Sequence, residues 1–110
     1  MRLLGTWRSD KQRTLKEWAF KPNAARKHRK TIRGVFGKLR ITYTRKRMHW
    51  VLGKWRHTSE YRIVGRDAYS LAIMYWDMGQ EWRVCYIHFD SKNSYWVPIG
   101  WNRESFKRVR

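Results

Sequence analysis

Cysteine, proline and acidic residues are all scarce in this chain. A single thiol, Cys85, stands among 110 residues, so no intramolecular disulfide can form. That suits a reducing compartment, and a cytoplasmic location is the expectation. Only two prolines occur, Pro22 and Pro98, and both fall where a regular element should stop or bend. No stretch approaches the ~20 apolar residues of a membrane span. Met1 to Gly5 holds no hydrophobic run long enough for a signal peptide. Eight acidic residues stand against 26 Lys and Arg, giving a formal net charge of +18. Self-repulsion at that ratio costs stability at low salt.

Aromatic residues are abundant: eight Trp, six Tyr and four Phe. Each buries a large area, which helps a short chain stabilise a core and argues against disorder. The length fits one domain, spanning 1–110. The cationic surplus points to a polyanion such as nucleic acid, an anionic membrane surface or an acidic protein. The plainer reading is a solvated basic surface.

The periodicity divides the chain into an opening strand, a basic helical insert over about 9–36, and a run of strands. Leu3 to Arg8 is β-compatible. Ser9 with Gln12 three residues on has the form of a capping box for a first helix, and Leu15, Trp18 and Ala19 give it one apolar stripe. Pro22 stops it. Asn23 is the expected cap of a second helix with a stripe of Ala25, His28, Ile32 and Val35 or Phe36, ended by Gly34 and Gly37.

After Gly37 the period drops to two. Leu39, Ile41 and Tyr43 alternate with polar partners, as do Met48, Trp50 and Leu52. Further strands are expected over Trp55–Val64, Ser70–Trp76, Trp82–Phe89, Tyr95–Ile99 and Arg103–Val109. The turns between them fall at Gly53-Lys54, Gly65-Arg66-Asp67, Asp77-Met78-Gly79-Gln80 and Asp90-Ser91-Lys92-Asn93. Pro98 argues for an edge, a bulge or a strand end. The expected architecture is mostly β: about eight antiparallel strands meandering up and down into a closed barrel, with two short helices between the first and second strands. Closure removes exposed edges, and eight strands enclose room for side chains or one small ligand. The helical insert is placed as a lid over one end.

Gly5-Thr6-Trp7 on the first strand resembles the Gly-x-Trp signature of the lipocalin and calycin superfamily. Leu4 to Asp10, Gly37-Lys38-Leu39, Val64 to Ala68 and Asn102-Arg103-Glu104 resemble small bacterial lipocalin-like proteins of unknown activity. The resemblance implies an up-and-down barrel holding a small apolar ligand. It also implies a tryptophan closing the floor, with a basic residue packed across it, here Arg103 or Arg108. Arginine on an indole face is a physically sound pairing. The Arg-x-Tyr pair that grips a carboxylate in the fatty-acid-binding branch is absent, since Arg103-Glu104-Ser105-Phe106 stands in its place.

Little in the sequence supports catalysis, and no enzyme activity is expected. The acids fall mostly in turns and helix starts, where carboxylates cap backbone amides. Asp67 is a turn former. His28, His49, His57 and His88 form no zinc-type cluster with Cys85, and no metal or cofactor is expected. Cys85, in an apolar run, is taken as a buried inert thiol. No phosphate loop or nucleophile elbow occurs. His88 is taken to share an inner strand face with Trp82, Val84 and Tyr86.

Two functional readings follow. The leading one is a non-enzymatic barrel for an apolar or amphipathic small molecule, its pocket lined by Tyr43, Trp50, Tyr61, Tyr75, Tyr86 and His88. The alternative is a basic nucleic-acid-binding module. There Arg26, Arg29, Lys30 and Arg33 form one helix face, Arg45, Lys46 and Arg47 a basic turn, and exposed aromatics stack on bases. The strand Ser70–Trp76 is apolar on both sides and permits a dimer face.

Overall fold

The computed structural model describes residues 2–20, 22, 25–77 and 79–109. Among these residues eight strands and two helices follow one another. They are β1 (Gly5–Ser9), α1 (Lys11–Glu17), α2 (Arg26–Val35), β2 (Arg40–Tyr43), β3 (Arg47–Leu52), β4 (Trp55–Arg66), β5 (Ser70–Trp76), β6 (Trp82–Ser91), β7 (Ser94–Ile99) and β8 (Asn102–Arg108). Each strand pairs antiparallel with its sequence neighbours. β1 closes on β8 in the register Trp7 to Arg108 and Ser9 to Phe106. The result is the closed antiparallel barrel of eight strands that the period-two pattern predicts, and it is compatible with a lipocalin-like fold.

Connectivity defines two ends. The β2–β3, β4–β5 and β6–β7 turns lie at the end where β1 begins. The helices and the β3–β4, β5–β6 and β7–β8 turns lie at the other, here called the helix end. Inward residues follow strict alternation, which is what a half-buried strand requires. Ile41 and Tyr43, Met48, Ser59 and Tyr61, Leu71 and Ile73, Ile87 and Phe89, Tyr95 and Phe106 are all buried. β4 is one strand of 12 residues, with a register shift between Ile63 and Gly65 that bends it as the ring closes. Pro98 pairs with Arg103 near the end of β7, so it marks a strand end in a barrel that has no edge.

The insert corrects several expectations. Ser9 is the last residue of β1, and the cap of α1 is Asp10, whose carboxylate accepts from the Arg13 amide at 3.2 Å. Asp10 carries the stronger acceptor and stands one residue closer to the first helical turn. α1 ends at Glu17, with Trp18 already extended, so Pro22 is not what stops it. Asn23 and Lys21 lie outside the described residues, as does Met78 in the β5–β6 turn. The cap of α2 is Ala25, with no side-chain hydrogen bond. Gly34 is inside α2 rather than beyond it, while Gly37 takes a φ of +90°, and a Cβ there would stand 2.9 Å from Lys11 Cβ.

The two helices differ in how they meet the barrel. α1 lies against β8 where β1 has ended. There the Asp10 amide donates to the Ser105 carbonyl at 2.8 Å, and Thr14 Oγ1 accepts from the Ser105 amide at 2.9 Å. The helix thus satisfies the ladder positions β1 leaves open, which buried backbone requires. Asn102 exchanges two hydrogen bonds with the Ala19 backbone and pins the chain after α1 to the end of β8. α2 buries none of its residues, so the expected lid is not a buried helix pair. Phe36, just past α2, is buried and packs on Trp18 at 4.9 Å between ring centres.

Candidate functional site

The barrel interior is filled at one end and loosens toward the other. Near the end where β1 begins, Trp7 is fully buried. Its indole Nε1–H donates to the Leu3 carbonyl at 2.9 Å, and its ring packs on Tyr95 at 4.7 Å and Phe89 at 6.3 Å. Tyr95 stacks in turn on Phe106 at 5.0 Å. Of the two arginines the sequence offered, Arg108 covers Trp7, with its guanidinium 4.3 Å from the ring centre. The same guanidinium donates to the carbonyls of Leu4 at 2.7 Å, Arg2 at 2.6 Å and Lys92 at 3.0 Å. Arg103 points elsewhere, to Trp96 at 4.8 Å and Glu17 at 3.2 Å. Gly5 has a φ of +118°, and a Cβ there would stand 3.0 Å from Arg108 Nη1. The Gly-x-Trp pattern therefore has a local cause: the glycine leaves room for the arginine that closes the floor over the tryptophan.

Midway along the axis two tyrosine hydroxyls meet. Tyr43 and Tyr95 are buried, and their oxygens are 3.1 Å apart. Burial pushes both phenols well above their ordinary range, so each stays neutral. Tyr61 is buried beside them and donates from its hydroxyl to the Thr44 carbonyl.

Toward the helix end the inner face opens. Trp50, His57, Tyr75, Cys85 and Val97 point inward but are only half-buried. At the rim, the inward positions Leu52, Trp55 and Ile99 are 39%, 37% and 41% exposed. His57 lies between two indoles, 4.9 Å from Trp50 and 6.0 Å from Trp55, and its Nε2 is buried with no hydrogen-bond partner among the described residues. From β8, which stands across the ring from β4, Glu104 enters on the same inner face as Phe106. Its Oε2 accepts from Ser9 Oγ at 2.6 Å, and Ser9 Oγ accepts in turn from the Gly37 amide at 3.0 Å. Burial raises the Glu104 carboxyl, only partly offset by the Ser9 bond. Burial also pushes the Cys85 thiol up to about 11, so it is protonated at neutral pH.

The pocket residues expected from sequence thus divide. Tyr43, Trp50, Tyr61 and Tyr75 face inward. Tyr86 and His88 do not: Ile87 and Phe89 take the inner face of β6, which turns Trp82, Val84, Tyr86 and His88 outward. β6 is apolar on both faces, so alternation fixes its period but not its side. His88 instead bonds Ser70 Oγ through Nδ1 at 2.9 Å and stacks on Trp96 at 4.2 Å. Glu104 and His57 were not anticipated as interior groups, whereas Cys85, expected as a buried thiol, is half-buried on the inner face. The only signal for Glu104 and His57 was parity with a buried neighbour, Phe106 and Tyr61 respectively.

The basic residues also divide. Arg26, Lys27, Arg29, Lys30 and Arg33 line one shallow hollow along α2, with Arg29 and Arg33 over the Phe20 ring at 5.5 and 5.8 Å. Arg45, Lys46 and Arg47 lie at the β2–β3 turn, at the opposite end of the barrel from the connection that carries α2. The structure does not bring these two basic clusters onto one surface. Asp67 forms its turn, accepting from the amides of Tyr69 and Ser70 at 2.8 Å.

Among the described residues no group of three or more His, Cys, Asp or Glu is placed to hold a metal ion, and no helix is long and apolar enough to cross a membrane. No protein-family model matches the chain, and no curated protein or solved structure matches it either.

Proposed function

We propose that this chain is a lipocalin-like binding protein that takes a small amphipathic molecule, without chemistry, through the helix end of its barrel. One observation carries the reading: inward-facing residues pass from fully buried at Trp7, through half-buried at Trp50 and Tyr75, to exposed apolar residues at the rim. A barrel filled by its own side chains would bury inward apolar residues at both ends. Apolar side chains left open on the inner face of a closed sheet are what a ligand would cover. Trp50, His57 and Tyr75 supply flat surface for an apolar body. The Glu104–Ser9 pair, across the ring, supplies a polar end that accepts a hydrogen bond or faces a positive charge. Among the described residues no hydrogen-bonded nucleophile–base pair lies on this inner face, and the neutral Cys85 thiol and tyrosines favour binding over catalysis.

A neutral environment-sensitive dye such as Nile red tests this, because an anionic dye would bind the cationic surface regardless. Saturable binding at one site per chain is expected, weakened by Trp50→Ala and by Tyr75→Ala. A folded protein that binds no neutral dye, or binds it without saturation, has a filled interior and removes the reading.

A further inference from the structure

The outer wall of the barrel carries a second aromatic surface, away from the mouth. Trp82 and Tyr86 are 52% and 54% exposed on β6, with Val84 exposed between them. Register places Trp76 beside Trp82, Met74 beside Val84 and Ala72 beside Tyr86 on β5, and Trp96 beside His88 on β7. Trp76 and Trp82 meet edge to face at 5.2 Å. Trp96 stacks on His88 and carries the Arg103 guanidinium 4.8 Å from its centre. On the other flank, Arg62 stands opposite Met74 on β4 and has no acidic partner among the described residues. The band is therefore aromatic and bordered by arginine on both sides, Arg62 without an acidic partner among the described residues and Arg103 paired with Glu17.

A wide exposed apolar band marks an interaction surface, and charge decides its occupant. A second copy of this chain would bring another net charge of +18 against the first. A polyanion with flat apolar groups relieves that charge and covers the rings. Unpaired bases meet both needs, since every base has a face that stacks on an aromatic ring while its phosphate meets an arginine. A duplex hides those faces. Successive outward residues of a strand are about 6.7 Å apart, so Trp82 and Tyr86 stand roughly 13 Å apart. That separation leaves space for intervening bases along an extended strand.

We propose that the outer face of β5 and β6 is a stacking platform for single-stranded nucleic acid, with Trp82 and Tyr86 under the bases and Arg62 at the phosphates. This surface is distinct from the inner face, so either can fail without the other.

The test is fluorescence anisotropy with a labelled oligothymidylate of about 12 nucleotides, within ordinary single-strand site sizes, and a duplex of equal length. Both are measured at about 0.15 M salt, where diffuse attraction is screened. The single strand should bind at least ~10-fold tighter than the duplex, and Trp82→Ala and Tyr86→Ala should each weaken it by ~10-fold. Tyr86→Phe keeps the ring and should bind like the original protein, which separates stacking from folding. Replacing Arg26, Arg29, Lys30 and Arg33 with Gln should lower single-strand and duplex binding alike and leave their ratio unchanged. Equal affinity for the two nucleic acids would overturn the proposal. So would alanine variants that melt normally and bind normally. A dimer in sedimentation that Trp82→Ala dissociates with no loss of oligonucleotide affinity would assign the band to self-association instead.

Discussion

Arg108 lies across Trp7 with its guanidinium 4.3 Å from the indole centre, and it donates to the carbonyls of Arg2, Leu4 and Lys92. One side chain of β8 thus ties together the chain's beginning, the first strand and the β6–β7 turn. Trp7→Ala should cost about 3–5 kcal/mol in urea melts, as large aromatic truncations in cores do. Arg108→Lys should also destabilise, because an ammonium cannot satisfy three carbonyls in one plane and cover the ring. Gly5→Ala should destabilise independently, through its φ of +118° and its approach to Arg108. A loss below ~1 kcal/mol for Trp7→Ala would mean that the floor does not hold the barrel closed.

The junction of α1 with β8 rests on backbone groups. Thr14 Oγ1 is the acceptor for the Ser105 amide at a buried position. Thr14→Val keeps the shape and removes the acceptor, leaving a buried N–H unpaired. The expected cost is about 1–3 kcal/mol, read by chemical denaturation. Hydrogen exchange should show the Ser105 amide losing protection ahead of the β5–β6 amides. Unchanged protection at Ser105 would show that another group satisfies it.

Glu104 gives the interior a pH dependence of known sign. Burial raises its carboxyl in the folded state, so the folded protein holds that proton more tightly than the unfolded chain. Stability from this group is therefore lost as pH rises from the ordinary carboxylate range through the raised folded value, and regained on acidification. Glu104→Gln should remove the loss. The variant should be more stable than the original protein at neutral pH, and the two should converge as the pH falls below the ordinary carboxylate range. Thermal melts of both proteins across that window make the comparison. A variant less stable at neutral pH would show that the ionised Glu104–Ser9 bond outweighs burial.

Much of this architecture could be read from alternation and turn chemistry. Strand number, antiparallel order, the inward set from Ile41 to Ile73 and the Asp67 turn follow from period and turn residues alone. What failed did so for identifiable reasons. Ser9 and Asp10 are adjacent and both can cap, and the capping-box spacing to Gln12 favoured Ser9 where the cap is Asp10. The pleat of β6 has Trp82, Val84, Tyr86 and His88 on one side and Cys85, Ile87 and Phe89 on the other. Arg83 on the inner side and His88 on the outer are the exceptions to two otherwise apolar sides, so only the closed ring assigned them. Glu104 was hidden because an ionisable residue inside a barrel runs against patterning. Only its parity with Phe106 and its bond to Ser9 reveal it. The basic residues form one block in sequence from Lys21 to Arg47, yet β2 runs between α2 and the turn of Arg45, Lys46 and Arg47, which lies at the opposite end of the barrel from the α2 connection.

The central claim is that a ligand enters the barrel at the helix end, and Cys85 reports on that space directly. It is the only thiol of the chain, and it points inward beside Tyr75 and Ile87. With its thiol pushed up to about 11, alkylation by iodoacetamide should be slow at neutral pH and speed up as pH rises toward that value. The measurement is the alkylation rate at a fixed mildly alkaline pH, followed by mass spectrometry, with and without Nile red. At dye concentrations ten times its dissociation constant, occupancy of the interior should slow alkylation about tenfold. Trp50→Ala should restore the faster rate at the same dye concentration. An unchanged rate while dye fluorescence saturates would place the dye on the outer wall and contradict a ligand site inside the barrel.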